Sequence, residues 1–126
     1  LMINMDHGFD IRPFESGDRD RLFSIFRAAF KKENDPAIWK WQFEENPFQP
    51  PGHPLIYVVV SDGEIAGSAS LLPVPFQIEQ QQIPFAWGVD LMVHPRFQGR
   101  GMAKALYHYL SEKHEIVMSI GASEAA

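Results

Sequence analysis

The sequence predicts an α/β fold of the α+β type: a mixed, mainly antiparallel sheet with one parallel strand, helix, strand crossover. Three observations carry this. Two runs of β character, Leu55 to Ser61 and Glu64 to Val74, flank Asp62-Gly63, the strongest short hairpin signal, so these strands run antiparallel. Leu22, Phe26, Ala29 and Phe30 recur at helical spacing, as do Met102, Leu106, Tyr109 and Leu110. The second of these helices lies between two apolar runs, "FAWGVDLMV" and "EIVMSI", and a connection of that kind makes its two strands parallel.

A short strand is expected around Phe9 to Pro13, followed by a helix that Ser16 to Asp18 opens and whose C-terminal dipole Lys31 and Lys32 complement. Asp35-Pro36 reads as a cap followed by proline at the first helical position, beginning a short helix "AIWKWQFEE" that Asn46-Pro47 stops. "PFQPPGHP" is then a stiff surface loop. Beyond the hairpin, Pro73, Pro75 and Pro84 make the stretch through "QIEQQQI" a kinked or edge excursion. It leads into "FAWGVDLMV", where Gly88 could mark a bulge. The crossover helix runs from about Gly101 to His114, and no internal repeat is present.

With 126 residues, of which 45% are hydrophobic, the chain fits a single globular domain over 1–126. A net charge of -5 argues against sequence-independent nucleic-acid binding, which needs a clustered basic surface. No apolar run approaches the roughly 20 residues of a membrane helix, and the first residues lack a basic stretch followed by an apolar one, so neither a membrane nor secretion is expected. The absence of cysteine excludes thiolate metal sites and catalytic thiols and fits a cytoplasmic protein. His7, His53, His94, His108 and His114 show no ligand-like pairing, so no metal is expected. Trp39, Trp41 and Trp87 could line a pocket, although aromatics at such spacings are more often core.

The stretch that carries chemistry is "HPRFQGRGMAKAL", His94 to Leu106. A strand leads through Gly99 and Gly101 into a helix start, where the first four amides have no intrahelical partner and the dipole adds positive potential. Glycine permits close approach and Arg100 adds charge, so a phosphate-bearing ligand is the natural occupant. Neither the G-x-x-x-x-G-K-[ST] nor the G-x-G-x-x-G pattern is present.

Gln98-Gly99-Arg100-Gly101-Met102-Ala103 instead resembles the Q/R-x-x-G-x-G/A signature of the GNAT (GCN5-related N-acetyltransferase) superfamily, and Arg96 to Gly101 fits the same pattern two residues earlier. The preceding "DLMVHP", the opening "IRPFESGDRDRLFSIF" and the order of elements are similar to that family as well. The resemblance implies a GNAT fold lacking the usual C-terminal strands, and an acetyl-CoA-dependent N-acetyltransferase acting on a small-molecule or peptide amine. It also implies that Leu91, Met92 and Val93 present backbone to the pantetheine arm, while Gln98, Gly99, Arg100, Gly101, Met102 and Ala103 hold the pyrophosphate. A non-catalytic acyl-CoA-binding domain serving regulation or assembly is equally compatible with the loop.

An amine with a pKa of about 10.4 must lose a proton before attack, so the reaction needs a base. Asp90 is the best-placed carboxylate, expected by strand alternation to point away from Val89 and Leu91. Spacing alone leaves it equally open to a structural role. Tyr107 and Tyr109 lie on the crossover helix and do not match the tyrosine that protonates the thiolate in family members. The abrupt end leads to one more expectation. The Ile116 to Ile120 edge should be covered, by a second copy or by the remainder of a longer chain.

Overall fold

The Asp62-Gly63 turn forms as expected, with φ of 51° and 75° at its two residues, in a computed structural model that describes residues 3–5, 8–114 and 117–119. Both angles are left-handed, the combination that matches the twist of the strands it joins. Those strands are β3 (Ile56–Ser61) and β4 (Glu64–Pro73), and around them the sheet grows in both directions.

β1 (Ile3–Met5) pairs antiparallel with β2 (Phe9–Pro13), and β2 pairs with β3. On the other side, β4 pairs antiparallel with β7 (Ala86–Val93), which in turn pairs parallel with β8 (Val117–Ser119). The six strands therefore lie in the order β1-β2-β3-β4-β7-β8, with β7 to β8 the expected parallel crossover. β5 (Phe76–Ile78) and β6 (Gln81–Ile83) form a separate hairpin, which is the excursion foreseen between the prolines. Of the edge expected to be covered, Ile116 and Ile120 lie outside the described residues.

Among the described residues, three α-helices cover the sheet. α1 (Arg19–Phe30) and α2 (Pro36–Phe43) bury Leu22, Ile25, Phe26, Trp39 and Phe43 against Val58, Val89 and Met92 on one face. α3 (Met102–Lys113) buries Met102, Leu106 and Leu110 against Ile11, Val59, Leu71 and Val93 on the other. This is why β3 and β4 are apolar on both faces, as strands covered from both sides must be. The Asp35 carboxylate accepts from the amides of Ala37 at 2.9 Å and Ile38 at 3.4 Å, so the cap read from Asp35-Pro36 holds. Lys31 closes α1 in a left-handed conformation, with φ of 62°.

One expectation is overturned. Gly88 pairs regularly with Leu71, whereas the register of β4 against β7 shifts opposite Asp90, which has φ of 52°. The bulge is thus at Asp90, an extra residue that breaks the alternation of the strand. Val89 packs into the core under α1 and Leu91 against the core under α3, so they do not share the face opposite Asp90. Beside the bulge, a Cβ on Gly67 would stand 2.5 Å from the Met92 carbonyl oxygen, and glycine there lets β4 and β7 stay paired.

The entry to α1 is fixed by a bidentate pair: Arg12 donates to both Asp18 oxygens at 2.8 and 3.1 Å, and the Glu15 amide donates to Asp18 at 2.8 Å. Burial works to raise the Asp18 carboxyl. The bond from Arg12, the Glu15 amide and the guanidinium charge outweigh it and hold Asp18 below the ordinary carboxylate value. Asp18→Ala should cost about 2 kcal/mol, somewhat less than a fully buried pair, because the side chain of Arg12 is 20% exposed. The depressed pKa means this contribution is present above the ordinary value of 3.8 and lost as the pH falls through the lower folded value. Urea unfolding at neutral and acid pH checks both, and the difference between variant and parent should shrink in acid.

Candidate functional site

β7 ends at Val93 and the chain turns at once. His94 caps a short 3-10 turn (Pro95–Phe97), its Nδ1 accepting from the Arg96 amide at 3.1 Å, so the Nε2 carries the proton in the neutral ring. Burial, followed by the charges of Arg21 and Arg96, lowers the His94 pKa and favours that neutral form. Phe97 is buried beneath α3, and this anchors the loop at its middle.

Gly99 and Gly101 then take φ of 83° and 81°, and Gly101 is the N-cap of α3. A Cβ at either would meet no protein atom within 4 Å. Glycine is therefore required by the backbone turn, and the space above it is open. Only the pattern that starts at Arg96 places both of its glycines at these left-handed residues. The pattern that starts at Gln98 would put its last position at Ala103, inside the helix.

The consequence is a row of free donors. Among the described residues the amides of Gly99, Arg100, Gly101, Met102, Ala103 and Lys104 have no hydrogen-bond partner, and the first helical bond of α3 runs from the Ala105 amide to the Gly101 carbonyl at 3.0 Å. Six consecutive amides at a helix start, with the dipole behind them, form an anion cradle. They border a hollow of about 190 Å³ between Val93, Phe97, Gln98 and the first turn of α3. Met102, which also lines the hollow, packs into the core.

The arginines divide their work. Arg96 donates to both Glu64 oxygens at 2.6 Å, and Arg21 donates to the same carboxylate at 2.9 Å, tying the loop to the β3–β4 turn and to α1. Arg100 forms no ion pair among the described residues and lies 5.3 Å over the Phe97 ring. It is the guanidinium left for an anion, with the exposed Lys104 one turn on.

The strand leading to the loop offers backbone as well. The pairing of β7 with β8 runs from Ala86 to Gly88, and no described strand pairs with that edge of β7 beyond it. Leu91, Met92 and Val93 follow, with side chains packed into the two cores, and the Gln98 side-chain amide donates to the Val93 carbonyl at 3.2 Å. Asp90 is half-buried, and among the described residues its carboxylate has no hydrogen bond. Burial raises its pKa, and the charge of Lys32 opposes this with a smaller effect.

The structure thus brings together the loop residues, the strand end and Asp90 along one strand and its exit. Sequence reasoning missed the Lys104 amide, the Glu64 clamp and the bulge at Asp90. The helix-start rule signals the first of these, since the fourth residue of a helix also lacks a partner. Trp39 is core, as expected of most aromatics, whereas Trp41 is 61% exposed. Among the described residues no group of three or more histidine or acidic residues could hold a metal, and no helix is long and apolar enough to cross a membrane.

A family model described as an acetyltransferase (GNAT) domain matches residues 10–122. No curated protein matches the sequence. Among solved structures, a transcriptional regulator from Bacillus halodurans superimposes with a TM-score of 0.68 at 14% identity, covering 87% of this chain and 79% of that one. A GCN5-related N-acetyltransferase from Anabaena variabilis gives 0.63 at 20%, covering 83% of this chain but only 26% of its own longer one. An aminoglycoside acetyltransferase from an uncultured soil metagenomic sample gives 0.65 at 18%, covering 89% and 78%. At these identities the likeness is one of fold.

Proposed function

The chain belongs to the GNAT acetyltransferase family, and from that premise we propose that it moves an acetyl group from acetyl-CoA to a primary amine by direct attack on the thioester. The observation that carries this reading is the row of six unpartnered amides from Gly99 to Lys104. A diphosphate offers several acceptor oxygens at the spacing of successive amides, and the Arg100 guanidinium adds a charge that forms no ion pair among the described residues.

In this reading the amides of Gly99 to Lys104 hold the pyrophosphate, the Gln98 amide being bonded already to the Pro95 carbonyl, and the backbone of Leu91, Met92 and Val93 takes the pantetheine arm along the edge of β7 that no described strand pairs with. Bound acetyl-CoA would supply an activated acyl group as a thioester, whose carbonyl carbon the amine attacks. Asp90 takes the proton that the amine must lose. Its lack of hydrogen-bond partners leaves the carboxylate oxygens free for that purpose, and its burial makes it a stronger base than an exposed carboxylate. Backbone N–H groups at the bulge would donate to the carbonyl oxygen as charge develops on it, and the C–S bond would then break to release CoA as the thiolate. The site is expected to work in the cytoplasm on a small-molecule or peptide amine.

The test is release of free CoA from acetyl-CoA in the presence of a panel of primary amines, with the acetylated product identified by mass. Turnover with at least one amine is expected. Tight CoA binding without turnover on any amine would contradict the catalytic reading and leave a CoA-binding domain.

A further inference from the structure

A second cavity, of about 670 Å³, lies between the β2–α1 connection, α2 and residues 44–54. It shares no lining residue with the hollow at the glycine loop. Its lining begins at Phe14, where β2 ends, whereas the hollow at the glycine loop lies where β7 ends.

Its floor is aromatic. Trp39 stands with its ring centroid 6.0 Å from that of Phe14 and 5.4 Å from that of Phe43. Its lining also carries Glu15, Glu44 and Glu45. Glu44 and Glu45 form no ion pair among the described residues, and Glu15 stands 4.0 Å from an Arg12 that already holds Asp18. The opposing charge is Arg19, whose guanidinium lies over the rings of Trp39 at 5.1 Å and Phe23 at 5.2 Å, where the π faces receive it.

The cavity is also held open. Gln49 is 6% exposed, and its side chain donates to the Leu71 carbonyl at 2.8 Å and accepts from the Leu55 amide at 2.9 Å. This pins the loop to β4, and Pro47, Pro50, Pro51 and Pro54 stiffen it on either side. A preformed cavity of this size, with an aromatic floor and polar groups around it, has the character of a small-molecule site.

We propose that this cavity binds an amphipathic cation, with an aromatic or branched apolar body on Phe14, Trp39 and Phe43 and an ammonium group toward Glu15, Glu44 and Glu45. The excess of carboxylates over the single guanidinium sets the sign of the ligand. The site is independent of acetyl transfer at the glycine loop.

Calorimetry on the 126-residue chain with three probes of one shape tests it: phenethylamine, 2-phenylethanol and 3-phenylpropionate. The amine should bind at least about fivefold more tightly than either of the others, with the indole N–H resonance of Trp39 shifting as it does so. In the exposed double variant E44Q/E45Q the amine should fall to the level of the alcohol, with the affinity for CoA unchanged. Equal binding of amine and alcohol, a preference for the carboxylate, a preference that survives the double substitution, or no binding of any probe would each overturn the proposal.

Discussion

Asp90→Asn is expected to lower kcat about 100-fold at neutral pH, near the low end of what a positioned base contributes, while leaving the affinity for acetyl-CoA almost unchanged. Asparagine keeps the shape of the side chain and tolerates the φ of 52° at the bulge, but it cannot accept the proton. Parent kcat should fall as the pH drops through the raised pKa of Asp90, and the variant should lack that limb.

The same substitution should make the fold more stable, and here the sign separates a functional carboxylate from a structural one. Burial raises the folded pKa of Asp90, so its ionised form is the one that folding disfavours. Parent and variant should be equally stable below the ordinary carboxylate value of 3.8, and the variant should gain as the pH rises through the folded value. Thermal melting across pH, read beside kcat, gives both. A variant that is less stable at neutral pH, with kcat intact, would return Asp90 to a structural role.

Gly101→Asp is expected to weaken CoA binding about a hundredfold, or about 2.7 kcal/mol. A carboxylate placed at the helix start would stand against the pyrophosphate, and two unit charges about 4 Å apart repel by roughly 4 kcal/mol at an effective dielectric of about 20. The left-handed φ of 81° adds some strain with any side chain. Gly101→Asn carries nearly the same shape and strain without the charge, so calorimetry of the pair isolates the electrostatic part. Equal affinity for the two variants would mean that no anion lies at this helix start.

The glycine loop was legible because its demands are local. Two left-handed residues before a helix call for glycine, and apolar spacing from Met102 to Leu110 marks the helix that follows. The Asp62-Gly63 hairpin was legible for the same reason. The bulge at Asp90 was not, since aspartate carries no rule that forces one and Gly88 was the better local candidate. Its cause is the fit of β4 to β7, whose partners on either side of the bulge, Ser68 with Met92 and Ser70 with Val89, are far apart in the chain. Likewise, the turn of the β5–β6 hairpin is made by Glu79 and Gln80 at φ of 47° and 69°, residues that no turn rule favours. β1 escaped notice because Ile3–Met5 is only 3 residues long. The clamp of Arg96 and Arg21 on Glu64 joins three distant segments, and spacing along the chain cannot show it.

The amide resonances of the loop, followed as CoA or pantetheine is added, test the central claim most directly. The two ligands share the pantetheine arm and differ in the pyrophosphate and nucleotide. The amides of Gly99 to Lys104 should shift strongly with CoA and hardly at all with pantetheine, while Leu91 to Val93 respond to both. Loop amides that stay still with saturating CoA, or that move as much with pantetheine, would contradict the assignment of the six free donors to the pyrophosphate.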